Sequence, residues 1–339
     1  MRPMRISVAM CTYNGAEFLP AQLASIAEQT RAPDEIVVCD DASTDDTRGV
    51  LESFARTSQI PVSLYFSDQN AGSLKNFERA IGLCTGEVIV LSDQDDVWRA
   101  DKLQLLEKAL RDRPQAGLVF SDAELVDENL HSLGRRMWDE VGFDAHKRKL
   151  IRTGKSLDVL ITGWTVTGAT MAFRSDYVKL ALPIPANIAM IHDGWIALTV
   201  AAVADVVFIE EPLIKYRQHE RQQVGAPKRD PQHDPNSGPA TSQPRGLQAF
   251  ETALRRRNSA ADLHGILSVL EERLAAAQNW FDCTRALAFV ADYSLHLDVR
   301  ANLPRKRLSR LPRILRELMT MRYHEYANGF KSAAKDLVS

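Results

Sequence analysis

Residues 35–47 read EIVVCDDASTDDT, a short β-branched run that closes on two adjacent aspartates and passes through Ala42-Ser43-Thr44 into a polar helix start. A strand covered on both faces by helices must be continuously apolar, and this run is. Working outward, the same unit recurs as ISVAMCTYN at 6–14, VSLYF at 62–66, VIVLSDQDD at 88–96 and GLVFSD at 117–122. Between these runs apolar residues return at helical spacing: Phe18, Leu19, Leu23 and Ile26, then Val50, Leu51 and Phe54, then Leu74, Phe77, Ala80 and Ile81. The alternation predicts a doubly wound α/β half with strands at 6–10, 35–39, 62–66, 88–91 and 117–121. Ser43 with Asp46 reads as a capping box, Gly86 as the stop after the third helix and Pro114 as the close of the fourth.

The 339 residues carry 42 Lys plus Arg against 44 Asp plus Glu, a net charge of −2. That balance excludes a protein held to nucleic acid by bulk positive potential, so no nucleic-acid partner is expected. The first apolar run stops at Met10, and no run approaches the roughly 18 apolar residues of a membrane span; the expectation is a cytoplasmic protein, soluble or peripheral at the inner face of the membrane. Four cysteines without a CxxC pattern read as reduced, buried thiols. Five of the fifteen prolines fall between Pro227 and Pro244, which marks 225–246 as a mobile loop or linker between a domain at 1–224 and a helical region at 247–339.

In an open parallel sheet, ligands bind beyond the carboxyl ends of the strands. The residues there are Thr12-Tyr13-Asn14-Gly15, Asp40-Asp41, Ser92-Asp93-Gln94-Asp95-Asp96 and Asp122. Carboxylates crowded on one sheet edge repel one another unless a cation joins them or protons stay on. Mg²⁺ or Mn²⁺ suits such hard oxygen ligands and completes its shell with water and phosphate, which points to a nucleoside diphosphate. No GxGxxG and no GxxxxGK[ST] occurs, so neither a dinucleotide fold nor a P-loop is indicated.

ISVAMCTYNGAEFLPAQLASIAEQT at 6–30, EIVVCDDASTDDT at 35–47 and VLSDQDDVWRADKL at 90–103 together resemble family 2 glycosyltransferases of the GT-A fold, in particular the bacterial rhamnosyltransferase-like group. The resemblance covers about residues 4–220. It implies a mixed, mostly parallel sheet flanked by helices, a nucleotide-binding half at 1–122 and an acceptor half at 123–224. It implies nucleotide contacts from Thr12, Tyr13, Asn14, Asp40, Asp41 and Asp93, and a D-x-D pair, Asp93 and Asp95, that holds sugar and metal, with Asp96 able to substitute. Asp193 in MIHDGWIAL resembles the catalytic base, with His192 beside it, although an Asp before a helix also fits an N-cap. Gly168 and Ala169 of GWTVTGATMAF, with Trp164 and Trp195, resemble the acceptor and sugar lining; a buried aromatic reads equally well. His219 in LIKYRQHERQQVGA resembles a third metal ligand, and Arg217 or Arg221 a phosphate fork. The implied reaction is inverting transfer of a sugar, L-rhamnose from dTDP-L-rhamnose, to a saccharide or lipid-linked glycan in cell-surface polysaccharide synthesis. A UDP- or GDP-hexose donor and a catalytically silent nucleotide-sugar-binding scaffold are the alternatives.

Seven basic residues and no acid lie between Arg300 and Arg316; seven charges taken from a net of −2 leave −9 on the rest. Leu308, Leu311, Leu315 and Leu318 mark one helical face among the arginines, a pattern that fits either an anionic membrane or packing on the protein.

Overall fold

The computed structural model describes residues 2–162, 165–220, 222, 260–327 and 329–338. The chain parts into two compact units, Met1–Arg255 and Arg256–Ser339. In the first, β1 (Ile6–Thr12), β2 (Glu35–Asp40), β3 (Val62–Phe66) and β4 (Val88–Ser92) are separated by α1 (Leu19–Ala27), α2 (Thr47–Thr57) and α3 (Ser73–Leu83). β5 (Val97–Trp98), α4 (Lys102–Asp112), β6 (Ala116–Val126) and β7 (Ser132–Arg136) follow, then four short helices, α5 (Met137–Glu140), α6 (Ala145–Arg152), α7 (Ser156–Thr162) and, after β8 (Met171–Arg174), α8 (Val178–Ala181). The unit closes with α9 (His192–Val203) and β9 (Asp205–Arg217).

The sheet order is β3-β2-β1-β4-β8-β6-β9-β5, with β7 paired to β6. β1 lies parallel to both β2 and β4, and β2 to β3. The chain therefore winds outward from β1 in both directions, and the crevice between β1 and β4 is the switch point where an open sheet takes its ligand. β8 runs antiparallel between β4 and β6, while β9 is parallel to β6 and antiparallel to β5. The β5–β9 pairing, with Trp98 opposite Ile214, is what returns the end of β9 to the acidic loop after β4.

The core follows the pattern of the sequence. Val8, Met10, Ile36, Val38, Val88 and Val90 pack with Leu23, Ile26, Leu51, Leu103 and Leu106 in one buried cluster. Cys11, Cys39 and Cys283 are buried, Cys84 is partly so, and all four are free thiols.

Two local expectations fail. α2 starts at Thr47 with no capping box, because the Ser43 hydroxyl is committed to Asp40 (2.5 Å), and Asp45 accepts the Thr47 amide (3.0 Å) instead. Gly86 is not a left-handed helix stop: a Cβ there would stand 2.6 Å from Ser7 Oγ and 2.7 Å from the Ser7 amide nitrogen, so the glycine lets two backbones close on each other.

In the second unit, helices Ala260–Ala277, Thr284–Ala301, Leu311–Met319, Arg322–Tyr326 and Phe330–Val338 are seen. Among the described residues no helix is long and apolar enough to cross a membrane. The segment 225–246 lies outside the described residues.

Candidate active site

Three loops leave the carboxyl ends of β1, β2 and β4, and hydrogen bonds zip them together. Thr12 Oγ1 donates to Asp40 Oδ2 at 2.8 Å, both groups buried. The Asn14 amide donates to Ser43 Oγ (2.8 Å), and Asn14 Oδ1 accepts from the Thr44 amide (2.7 Å). Asn14 holds a left-handed φ of 49°, a conformation Asn tolerates better than most residues. Gln94 clamps the third loop onto the first: Oε1 accepts from the Tyr13 amide (2.8 Å) and Nε2 donates to the Tyr13 carbonyl (3.0 Å). Asp41, also buried, turns along the edge, where its two oxygens accept the amides of Ala71 and Gly72, each at 2.8 Å. The two adjacent acids thus do different work. Asp40 ties β1 to β2, and Asp41 fixes the entry to α3.

The acidic loop after β4 carries the strongest electrostatics. Burial, together with the charges of Asp95 and Asp193, pushes the Asp93 carboxyl up to about 7. Asp96 is fully buried, accepts the Arg217 amide on Oδ1 (3.1 Å) and leaves Oδ2 without a partner; burial and the charges of Asp95 and Asp93 raise it well above the carboxylate range. Asp96 is therefore an interior acid and does not face an acceptor.

Against these acids stands Lys102, which the sequence reading passed over. It is 0% exposed, donates from Nζ to the Ala169 carbonyl at 2.6 Å and sits 3.7 Å over the Trp98 ring. Burial pulls its ammonium down to about 7 even though Asp96 and Asp93 hold the proton on. Its spacing from Trp98 gave no signal, because Trp98 ends the short strand β5 and Lys102 opens the next helix, and the turn between them brings the ammonium over the ring.

His219 is brought back by β9. Its Nε2 lies 2.9 Å from Asp95 Oδ2, its ring packs on Phe18 at 4.5 Å, and its Nδ1 is unpartnered. Arg217 is not a phosphate fork: its Nε donates to the Asp95 carbonyl (2.6 Å), its other guanidinium nitrogen to the Glu128 carbonyl, and its head lies over Phe18. Arg221 lies outside the described residues. Among the described residues no three His, Cys, Asp or Glu side chains are arranged to hold one ion, so Asp93, Asp95 and His219 do not form a closed metal set. The pair Asp95–His219 with the raised Asp93 beside it fits a dication that takes the rest of its shell from water and substrate oxygens.

Across the crevice, Asp193 sits in the first turn of α9. It is not the N-cap, a position held by Ile191. Its Oδ2 accepts the Gly168 amide at 3.1 Å and its Oδ1 accepts the Gly194 amide at 2.6 Å. Gly168 is close-packed there: a Cβ would meet His192 Nε2 at 3.3 Å and Asp193 Cβ at 3.4 Å. His192 stacks on Phe77 (4.1 Å between ring centres, 17° between planes), keeps Nδ1 unpartnered and is held neutral by burial. Asp193 and Asp93 feel each other's charge, which brings the expected base and the expected donor acid to one site.

Several expected lining residues are interior. Trp195 is 0% exposed and donates its indole N–H to the Ala181 carbonyl at 2.8 Å, so it packs in the core and offers no ring to a sugar. Ala169 is also buried and contributes its carbonyl to Lys102. Asp122 does not join the other acids: it lies within β6, where it accepts the Trp138 amide (3.1 Å) and pairs with Arg136. Trp164 lies outside the described residues.

A profile described as Glycosyl transferase family 2 matches residues 7–179. The chain is 28% identical over 220 residues to an uncharacterized glycosyltransferase of Nostoc sp., covering 64% of this chain and 65% of that one. It is 27% identical over 231 residues to the dTDP-rhamnosyl transferase RfbG of Shigella flexneri, covering 64% and 74%. A third relative, the UDP-Glc:alpha-D-GlcNAc-diphosphoundecaprenol beta-1,3-glucosyltransferase WfgD of Escherichia coli, is 27% identical over 124 residues, 37% of this chain and 47% of the relative. The matches thus span about half to two thirds of the length of the first relatives. Among solved structures, S. aureus TarS 1-349 in complex with UDP-GlcNAc aligns with a TM-score of 0.52 at 14% identity, covering 98% of this chain and 91% of that one. With the family match, this likeness shows the fold to be the GT-A fold expected from the sequence.

Proposed function

This chain belongs to glycosyl transferase family 2, and from that premise we propose that it is an inverting hexosyltransferase. It moves L-rhamnose from dTDP-L-rhamnose to a saccharide or lipid-linked glycan acceptor in cell-surface polysaccharide synthesis. The observation that supports the reaction is that Asp193, its two oxygens oriented by the Gly168 and Gly194 amides, lies near enough for its charge to raise Asp93. The rhamnosyl donor is supported by the similarity to the dTDP-rhamnosyl transferase, which covers 74% of that relative.

In this reading the loop of Thr12, Tyr13 and Asn14, tied to Asp40 and flanked by Asp41, holds the nucleoside, and Asp93 and Asp95 receive the sugar and diphosphate. The acceptor hydroxyl oxygen attacks the anomeric carbon from the Asp193 side. Its proton passes to the Asp193 carboxylate, the bond between the anomeric carbon and the diphosphate oxygen breaks, and the electron pair leaves with the nucleoside diphosphate. The amides of Gly168 and Gly194 fix the carboxylate, and each oxygen keeps a lone pair for the proton. Asp95, with Asp93 and His219 beside it, would hold Mg²⁺ or Mn²⁺, which when bound supplies charge stabilisation to the departing diphosphate.

A panel of dTDP-rhamnose, UDP-glucose, UDP-GlcNAc and GDP-mannose, assayed for donor hydrolysis and transfer with Mg²⁺ or Mn²⁺, tests the donor; turnover confined to UDP- or GDP-sugars rejects the rhamnosyl assignment. Asp193→Asn is expected to lower transfer by roughly 10²–10⁴-fold, the usual range for a positioned base. Near-normal turnover of that variant, together with a harmless Asp95→Ala, rejects catalysis at this site in favour of a binding scaffold.

A further inference from the structure

The second unit carries a surface that the glycosyl-transfer reading does not use. Its interior is set by Ile314, Tyr323 and Ala333, with Leu303, Leu318, Ala327 and Leu337 packed against them. Polar struts lock the helix Leu311–Met319 in place: Arg310 donates to the carbonyls of Pro304 (2.6 Å) and Asp336 (2.8 Å), and Glu317, almost fully buried, holds both His296 (2.7 Å) and Arg322 (3.0 Å). With Ile314 and Glu317 turned inward, the leucine face read from the sequence is split: Leu318 packs on the interior and Leu311 is half-buried, while Leu308 and Leu315 are not. Leu308, Leu315 and Met319 are left outside at 82%, 53% and 85% exposure.

Around these three stand Arg305, Lys306, Arg307 and Arg316, all exposed, and among the described residues their side chains form no ion pair. An aliphatic side chain standing proud in water is unfavourably hydrated, whereas the cations around it are well solvated and free to meet an anionic surface. Leu and Met side chains gain by entering hydrocarbon, and cations gain by approaching a negative sheet of phosphates. A nucleic acid would satisfy the cations and leave the three aliphatic side chains in water. We propose that this face, Leu308, Leu315 and Met319 with Arg305, Lys306, Arg307 and Arg316, docks the protein on an anionic phospholipid membrane. The charge pattern supports that partner: of the seven basic residues between Arg300 and Arg316, Arg300 is paired with Asp336 and Arg310 and Arg313 are turned to backbone carbonyls, which leaves Arg305, Lys306, Arg307 and Arg316 to attract an anionic surface. This inference stands apart from the identity of the donor and from the catalytic assignments.

The full chain is tested by sedimentation with vesicles of phosphatidylcholine alone and of phosphatidylcholine mixed with phosphatidylglycerol, at low and high salt. Binding is expected only to the anionic vesicles and should weaken as salt screens the cations. Arg305→Ser/Lys306→Ser/Arg307→Ser is expected to weaken partitioning by roughly a hundredfold, at about fivefold per surface cation. Leu308→Ser/Leu315→Ser/Met319→Ser should weaken it by roughly tenfold or more at unchanged charge. Because all six sites are exposed, the thermal midpoint should not move; as a check independent of folding, Leu315→Trp in the otherwise unchanged chain should shift its emission to the blue on adding anionic vesicles. Equal binding to neutral vesicles, full binding by both triple variants, an unshifted Trp emission, or retention of RNA in place of vesicles overturns the proposal.

Discussion

Gly15 can be used to measure how strongly the loop after β1 depends on the acidic loop after β4. Its φ is not left-handed, so its backbone tolerates an alanine; what does not is Gln94, whose Oε1 and Cδ would lie 2.2 and 2.4 Å from the added Cβ. The Gln94 side chain is the clamp that accepts the Tyr13 amide and donates to the Tyr13 carbonyl. Gly15→Ala should therefore expel Gln94 and forfeit both hydrogen bonds, a loss of about 1–3 kcal/mol at about 0.5–1.5 kcal/mol per bond. In a domain of this size that lowers the melting temperature by roughly 2–10 °C. Gln94→Ala removes the same two bonds without a clash. If expulsion of Gln94 is the whole mechanism, adding Gly15→Ala to Gln94→Ala costs almost nothing further, and the double-mutant cycle reports a coupling of about 1–3 kcal/mol. Denaturant midpoints of the four proteins, with KM for the donor measured alongside, complete the assay. Additive losses would refute the argument, because they would mean that the alanine strains something other than the clamp.

Gly86→Ala should be harsher, at about 2–3 kcal/mol, because the new Cβ meets the Ser7 amide nitrogen and the Arg5 carbonyl (2.9 Å), backbone atoms that cannot swing aside; a melting temperature within a degree or so of wild type would contradict this. Lys102→Met leaves the Ala169 carbonyl unpaired and Asp93 and Asp96 without their buried cation, so a loss of about 2–4 kcal/mol and weaker donor binding are expected, read by denaturant midpoint and by calorimetry with the donor; Lys102→Arg should not rescue it, since the site is closed to solvent and has no room for a guanidinium. Burial holds His296 below its ordinary value of 6.5. A depressed histidine stabilises the fold above the unfolded value and loses that contribution as pH falls from there through the folded value, so the protection factors of amides in the helix Thr284–Ala301, which correct for the intrinsic slowing of exchange in acid, should fall on going from neutral to acid pH, and His296→Gln should flatten the dependence.

The strand framework was legible because helices cover both faces of the parallel half and force its strands to be continuously apolar. The strand at 62–66 was read to the residue, and β1, β2 and β4 only ran one or two residues longer. β6 was read short because Asp122 and Glu124 interrupt the apolar run, yet Ala123, Leu125 and Val126 are buried and pairing with β9 continues past a shift in register. Thr12, Asp40 and Asp93 were singled out by their place at strand ends, Asp193 only by resemblance, and the hydrogen bond from Thr12 to Asp40 had no signal in the sequence. Trp195 was not, although α9 held a warning: GWIALTVAAV is apolar around its whole circumference, the mark of a helix buried on all sides, in which a tryptophan has no free face to offer. Lys102 was hidden for the opposite reason, since a lysine on an amphipathic helix reads as solvent-facing until tertiary packing encloses it.

Lys102 also changes the argument from charge. The sequence left two remedies for crowded aspartates, a cation among them or protons kept on, and pointed to a dication as the simpler. In the folded chain two other remedies are already in place. Lys102 lies buried among the acids, and burial with like charge raises Asp93 and Asp96, so protons shared between this amine and the two carboxyls relieve part of the repulsion. The crowd of carboxylates is thus tolerable without an ion, and its presence alone does not argue for one. What argues for an ion is narrower: Asp95 faces an imidazole whose second nitrogen has no partner, at the mouth of a crevice where a diphosphate would bring its own negative charge. Lys102 and the retained protons offset the charge that the chain itself buries. They leave nothing over for a substrate that arrives with more, and that added charge is what a dication at Asp95 would have to meet.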